Sequence, residues 1–311
     1  MSNNLKLSVS PHIHSGNSTA SIMLDVIIAL LPTTIAGCII FGFRSCLVIA
    51  ACVLSSVLFE YLYNLFLKKD QTIGDFSAVV TGLLLALNLP ANMPIWQCVV
   101  GSFIAIIIVK CLFGGIGCNI VNPAITARVF MLVSFGSMVP DAMPMPTIVD
   151  TVSSATPLSS DKLTSSISDL FLGLKGGAIG EVCILALIAG LIYLLIKKVI
   201  TWHIPVTFIG TVYVCSLFME GFDPIAALAM ILSGGLFIGA IFMATDYVTS
   251  PSTAWGKVIF GVGIGLLTFL IRYFGDYPEG VSFAILFFNI LTPYIEKWTM
   301  HKVLVAGGKK A

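Results

Sequence analysis

The sequence predicts an all-α polytopic membrane protein, with about ten transmembrane helices arranged as two inverted five-helix repeats. Of its 311 residues, 58% are hydrophobic and only 10% are charged, whereas a soluble globular domain carries about a quarter charged residues. The apolar residues fall into blocks of about 15 to 22, the length a helix needs to cross a bilayer's hydrocarbon. The basic residues are also unevenly distributed between alternate connections, as the positive-inside rule requires of a multi-spanning chain.

The first 21 residues are polar, with Ser8, Ser10, Pro11, His12, His14, Asn17 and Ser18. They lack the basic start and small-residue cleavage site of a secretory signal, so the first hydrophobic block is expected to be kept as a span. Candidate spans follow at 22–43, 46–66, 78–89, 96–113 and 120–139. A second set runs 179–199, 205–218, 225–243, 258–273 and 281–298. The blocks at 78–89 and 205–218 are short, and are read as tilted, kinked or broken helices packed inside the bundle. The organisation is therefore a tail over 1–21, a first repeat over 22–139, a loop over 140–178, a second repeat over 179–298 and a tail over 299–311.

With ten spans and the N-terminus in the cytoplasm, the inside segments hold Lys6, Lys68, Lys69, Lys197, Lys198, Lys257, Lys297, Lys302, Lys309 and Lys310. The outside segments hold only Arg44, Lys162, Lys175 and Arg272. Both termini are expected to be cytoplasmic, and the polar stretch 140–178 to face outward. A loop that long with little structure of its own is usually functional or disordered.

A faint internal repeat links the halves. Leu85-Ala86-Leu87-Asn88-Leu89-Pro90 ends the third span much as Met243-Ala244-Thr245-Asp246 ends the eighth, and each is followed by a Pro and a Trp-containing start to the next span. Asn122-Pro123-Ala124 occupies the place of Glu279-Gly280-Val281. Five spans per copy makes the copies inverted, an arrangement that places sites between discontinuous helices.

Net charge is near zero, with 16 Lys plus Arg against 15 Asp plus Glu, so no basic face for nucleic acid is implied. The eight cysteines lie mostly inside apolar blocks and form no CxxC, and are read as small hydrophobes rather than metal ligands. No Walker loop, strand-to-helix GxGxxG or HExxH is present, which removes soluble nucleotide-binding and zinc-hydrolase readings.

Asp25, Glu60, Arg128, Asp246 and Arg272 sit within or at the edges of apolar blocks. A guanidinium at the centre of an isolated span costs about 2.5–3.5 kcal/mol on insertion scales, so Arg128 is expected to face protein, water or an anionic group. Asp25, Glu60 and Arg272 are open to two readings, interfacial snorkelling or function. Glycine and proline cluster at Gly114-Gly115-Ile116-Gly117, Asn119 to Pro123, Ser233-Gly234-Gly235 and Pro278-Glu279-Gly280, where spans are expected to break. In the outward loop, Asp150-Thr151-Val152-Ser153-Ser154-Ala155-Thr156 reads by composition as a solvated linker. A threonine hydroxyl has no intrinsic reactivity, so its use would need an activating enzyme or a neighbouring base.

Asp150 to Thr156 nonetheless resembles the covalent flavinylation motif Asp-x-x-Ser/Thr-Gly-Ala-Thr, departing from it at Ser154, where glycine is usual. Ser10-Pro11-His12, Ala29-Leu30-Leu31-Pro32, Gly74-Asp75-Phe76-Ser77, Asn122-Pro123-Ala124 with Ala127-Arg128-Val129-Phe130, Ala244-Thr245-Asp246 and Tyr277-Pro278-Glu279-Gly280-Val281 agree with it. From about residue 10 to 300 the chain is similar to the membrane-subunit family of the Rnf ion-translocating ferredoxin:NAD oxidoreductases and the sodium-pumping NADH:quinone oxidoreductases, nearer the Rnf side.

The resemblance implies a ten-span electron-carrier subunit of the bacterial cytoplasmic membrane. It would carry FMN esterified to Thr156, with Asp150, Ser153 and Ala155 in the motif, Arg128 balancing flavin or phosphate charge, and riboflavin as a second candidate cofactor. Asp246 and Asn122 are the candidate ion-path residues. The implied partners are the other Rnf subunits (A, B, C, E and G), a flavin transferase and membrane lipid, and the complex would couple ferredoxin:NAD electron transfer to export of sodium ions or protons. The competing reading is a secondary transporter or channel for a small polar solute.

Overall fold

The computed structural model describes residues 18–135, 171–173, 176–275 and 280–308, and of 301–308 the backbone alone. Every regular element among the described residues is helical. The first half comprises α1 (Thr19–Phe41), α2 (Phe43–Phe66), a 3₁₀ turn (Ile73–Asp75), α3 (Ser77–Leu87), α4 (Ile95–Cys111) and α5 (Pro123–Ser134). The second comprises α6 (Ile184–Ile196), α7 (His203–Met219), α8 (Pro224–Leu232), α9 (Leu236–Met243), α10 (Ala254–Phe274) and α11 (Val281–Gly308).

Local chemistry sets these boundaries. Ser18 caps α1 by accepting from the Ser21 N–H, and Gly42, at φ 72°, lets α1 turn directly into α2. Asn122 and Asp223 accept from the first free N–H groups of α5 and α8, each followed by proline at the first helical position. The helices α2 and α6 end at Lys68 and Lys198, both left-handed, with each following N–H bonded back to the carbonyl five residues earlier.

Among the described residues three helices, α1, α2 and α10, are long and apolar enough to cross a bilayer alone. The expected eighth span is broken where its glycines predicted: α8 and α9 form a bent pair meeting at 68° across Ser233-Gly234-Gly235. The expected sixth span begins only at Ile184, because 176–182 is used as buried non-helical chain. The fourth is continuous but changes character, α-helical over Ile95–Phe103 and π-helical over Ile104–Cys111. Of the two short blocks, α3 is buried on almost every face, from Ser77 to Leu87. The other lengthens to the 17 residues of α7 and exposes Val206, Val214 and Phe218 at the periphery.

Small residues let the helices close on one another, as expected where lipid is no less apolar than the partner. Gly82 of α3 lies against the Cys52 carbonyl of α2, Gly190 of α6 against the Ala29 carbonyl of α1, and Gly261 and Gly265 of α10 against Thr207 and Thr211 of α7. The centre is dry and apolar, with Leu85, Leu87, Met93, Ile125, Met131, Phe208 and Phe260 fully buried. Ile35, Ile39, Leu54, Leu58 and Leu270 are exposed, the inverse of a water-soluble surface and the pattern lipid requires.

The bundle has two chemically distinct ends. At one, Lys257 donates to Thr201, Lys197 pairs with Asp25 at 3.5 Å and Lys110 is buried with Glu60. At the other, Arg272 donates to the carbonyls of Met230 (2.9 Å) and Ser233 (3.2 Å), and Arg128 lies beside Gly235. These are called the lysine end and the arginine end below.

Candidate functional site

At the lysine end the C-terminus of α2, the 3₁₀ turn, the start of α3 and the π-helical end of α4 converge on one buried ion pair. The Lys110 ammonium donates to Glu60 Oε1 at 2.9 Å, Glu60 Oε2 at 3.0 Å and Ser77 Oγ at 2.5 Å. Thr72 Oγ1 donates to Glu60 Oε1 (2.6 Å) and accepts from Asn64 (3.0 Å), while Asp75 accepts from the Ser77 N–H (2.8 Å) and hydroxyl (2.5 Å). Glu60 and Lys110 are 2% and 3% exposed, so the pair is wholly desolvated. Each charge persists there only because the other, with its hydrogen bonds, replaces water. Glu60 is thus a buried partner, not a snorkelling interfacial carboxylate.

Beside this pair is a cavity of about 110 Å³ between the two halves of the chain. Ser77, Lys110, Asn119 and Asn122 line it from the first half, and Ile241, Phe242, Thr245 and Asp246 from the second. Its walls are largely apolar with a few convergent polar groups, the usual make-up of a small-molecule site. Asn122 spans the halves: its Oδ1 caps α5 and its amide donates to the Met243 carbonyl at 3.3 Å. Asp246 accepts from Thr249 at 3.1 Å, and burial pushes its carboxyl above the ordinary carboxylate value, against a smaller downward pull from that hydrogen bond. The neighbouring Tyr247 phenol is pushed up to about 12, first by burial and then by Asp25 and Asp246. Asp25 accepts from Tyr193 at 2.7 Å, which ties α1 to α6 at this same end.

The arginine end holds the second cluster. Arg128 is 3% exposed and donates to Asn88 Oδ1 at 2.7 Å, and the Asn88 amide donates to the Leu84 carbonyl at 2.6 Å. Glu181, also 3% exposed, accepts from the Ala178 N–H at 3.0 Å. The structure therefore brings Asn122 and Asp246 into one cavity and places Arg128 apart from them, toward the other end. Asp150, Ser153, Ala155 and Thr156 lie outside the described residues.

Sequence reasoning gives Lys110, Glu181, Ser77 and Asn88 no chemical role. Lys110 carries a signal that a loop count of basic residues passes over: it is a lysine inside an apolar block, which must find a partner. No group of three or more His, Cys, Asp or Glu able to hold a metal occurs among the described residues.

Apolar helices, lipid-type exposure and desolvated charge at both ends define an α-helical membrane protein. The chain belongs to the NQR2, RnfD, RnfE family, whose model matches residues 6–305. It is 47% identical over 307 residues to the D component of the Na(+)-translocating ferredoxin:NAD(+) oxidoreductase complex of Acetobacterium woodii, covering 96% of this chain and 95% of that one. It is 40% identical to the proton-translocating counterpart of Clostridium ljungdahlii, covering 94% of each chain. It is 37% identical to the D component of the ion-translocating oxidoreductase complex of Actinobacillus succinogenes, covering 96% of this chain and 97% of that one.

Proposed function

We propose that this chain is the flavin-bearing membrane subunit of an ion-translocating ferredoxin:NAD oxidoreductase, with FMN esterified through its phosphate to Thr156. The observation that carries the reading is the motif from Asp150 to Thr156, standing in a chain whose relatives along nearly its full length are named as the D component of such complexes. The stretch bearing Thr156 follows α5 and precedes residues 171–182, where Phe171 packs on the core, Gly173 lies against Val182 and Ile40, and Glu181 belongs to the arginine-end cluster. By sequence the stretch around Thr156 is polar, rich in Ser, Thr, Pro and Asp, the composition of a solvated connection that a transferase could reach.

The bound flavin would supply one- and two-electron chemistry. The residues of this chain hold it and set the charge around it. Asp150, Ser153 and Ala155 serve recognition by the flavin transferase, and Arg128 contributes positive charge on the same side of the bundle. Riboflavin as a second cofactor finds no room in the lysine-end cavity as it stands, since that cavity is about 110 Å³ and ligand pockets run to roughly 300–1,000 Å³. Asn119, Asn122 and Thr245 line it with amide and hydroxyl groups suited to a small polar solute or ion, beside the apolar wall of Ile241 and Phe242. Asp246 and Asn122 lie on the ion path.

The ten-span inverted repeat is supported by a correspondence between the two ends. In the first half the base near the end of the fourth span, Lys110, donates to Ser77 at the start of the third. In the second half the base near the end of α10, Arg272, donates to the carbonyl of Ser233, just ahead of α9. Glu60, near the end of α2, pairs with Lys110, and Glu220, capping α7, accepts from Tyr273, the neighbour of Arg272. The uneven lysines support a cytoplasmic position for their end, and for both termini, in a bacterial inner membrane. The other Rnf subunits (A, B, C, E and G) and the flavin transferase are the partners.

The test is a denaturing gel of protein made with a flavin transferase and viewed under ultraviolet light. The parent chain and Thr151→Ala should fluoresce and Thr156→Ala should be dark. A fluorescent Thr156→Ala band contradicts the tether, and a dark parent band favours the solute-channel reading.

A further inference from the structure

Seven consecutive residues, 176–182, are buried without being helical. Backbone of this kind survives at membrane depth only when protein satisfies it. Here the Ile179 N–H donates to the Leu89 carbonyl at 3.1 Å and the Gly180 N–H to the Leu87 carbonyl at 2.8 Å, so the segment is bonded across the end of α3. It is cut to fit. A Cβ on Gly180 would lie 2.6 Å from Leu87 Cβ and 2.9 Å from Ile238, and one on Gly37 of α1 would lie 2.7 Å from the Ile179 carbonyl oxygen. The segment is a wedge driven between α1 and α3 of the first half and α9 of the second.

The wedge delivers a carboxylate to the helix break. The Cβ position at Gly235, the last residue of the α8–α9 break, lies 3.1 Å from Glu181 Oε2 and 3.3 Å from Arg128 Nη1. Wedge, break and α5 therefore meet at one buried point carrying opposite charges. Opposite charges gathered in a buried place are weak support for stability, since well-packed apolar residues often do as well, and their best attested uses are registry and switching. The short helix that starts at this point, α9, is π-helical over Gly239–Met243, a form common at functional sites. Its far end supplies Ile241 and Phe242 to the lysine-end cavity, and Asn122 holds its last carbonyl, that of Met243.

We infer that Glu181 and Arg128 are positioning residues, a charged latch that fixes α9 from the arginine end and so sets the shape of the cavity at the lysine end. The wedge is the returning arm of the connection that bears Thr156, so the latch joins that connection to the cavity. In this last respect the inference rests on the flavin reading, while the latch itself does not. Loss of either charge frees α9 to shift at its glycine end, and the cavity wall moves with it.

The test uses the full chain in its assembled complex, in membranes, with Thr245→Cys as a reporter in the cavity wall. Its modification by a maleimide is followed at that residue by peptide mass spectrometry. Glu181→Gln and Arg128→Met should each change the modification rate at least threefold, and Arg128→Lys, which keeps the charge, should return it toward the parent value. Gly235→Ala keeps both charges but places a methyl against them. It should change the rate in the same direction, and it decides the matter if the charge variants fail to reach the membrane. Rates unchanged in Gly235→Ala and in whichever charge variants assemble overturn the latch. In-gel flavin fluorescence of the same samples separates the two claims: a dark parent with a responsive reporter sinks the flavin and leaves the latch, and a bright parent with a silent reporter does the reverse.

Discussion

Replacing Lys110 with methionine, of similar length and without charge, strands Glu60 in a site where it is 2% exposed. The carboxylate loses two charge-assisted hydrogen bonds, at 2.9 and 3.0 Å, and among the described residues keeps only the one from Thr72. Hydrogen bonds to charged groups contribute about 1.5–3 kcal/mol each, and breaking one side of a buried pair costs about 3–5 kcal/mol. A penalty of about 3–5 kcal/mol is therefore expected. At roughly 2 °C per kcal/mol for a chain of this size, the thermal midpoint should fall by about 6–10 °C. The companion variant Lys110→Met with Glu60→Gln removes both charges, leaves an amide that Thr72 can still engage, and should recover at least half of that loss. The assay is thermal unfolding of the full chain in detergent, run as a double-mutant cycle, whose coupling isolates the pair from the separate effect of each substitution. A double variant no more stable than Lys110→Met alone, or a single variant with an unchanged midpoint, would refute the claim that the two charges hold one another in a dry site.

Other consequences are open to measurement. Gly190→Ala places a Cβ 2.5 Å from the Ala29 carbonyl oxygen, which as backbone cannot swing aside. It should cost about 1–3 kcal/mol by forcing α1 and α6 apart, whereas Gly74→Ala, with nothing within 4 Å, should leave the midpoint unchanged. Burial raises the Asp246 carboxyl above 3.8, so the folded chain holds this proton at a pH where the unfolded chain has released it. Stability should then fall as pH rises from the unfolded value through the folded one, and Asp246→Asn should flatten that limb in melts run upward from about pH 4. Lys198 caps α6 at φ 55°, so Lys198→Gly should relieve about 1 kcal/mol of left-handed strain, less the few tenths its charge contributes at the helix end. A midpoint lowered by Lys198→Gly would mean that the charge outweighs the strain.

How legible each part is depends on whether its cause is local. The long spans can be read because a bilayer demands a run of apolar residues, and the break at Ser233-Gly234-Gly235 because glycine marks chain that helix cannot continue. The wedge at 176–182 reads in part as the start of a span, since Ala178, Ile179 and Val182 are as apolar as a helix interior. Hydropathy cannot tell buried helix from buried extended chain when protein, not lipid, satisfies the backbone. The partnership of Glu60 with Lys110 joins residues 50 apart, and that of Asn122 with Met243 residues 121 apart. No periodicity in a single sequence carries such distances. The sequence does mark Arg128 as needing protein around it. Its buried contact with Asn88 and its place beside Glu181 become readable only when α3, α5 and the wedge are brought together.

The account rests most heavily on the state of one hydroxyl. Mass spectrometry of the peptide bearing Thr156, taken from active complex in the membranes of the native host, measures that state directly. The expected result is a peptide heavier by FMN less one water, with the modification localised to Thr156. A fully active preparation in which that peptide carries no added mass would contradict the electron-carrier role.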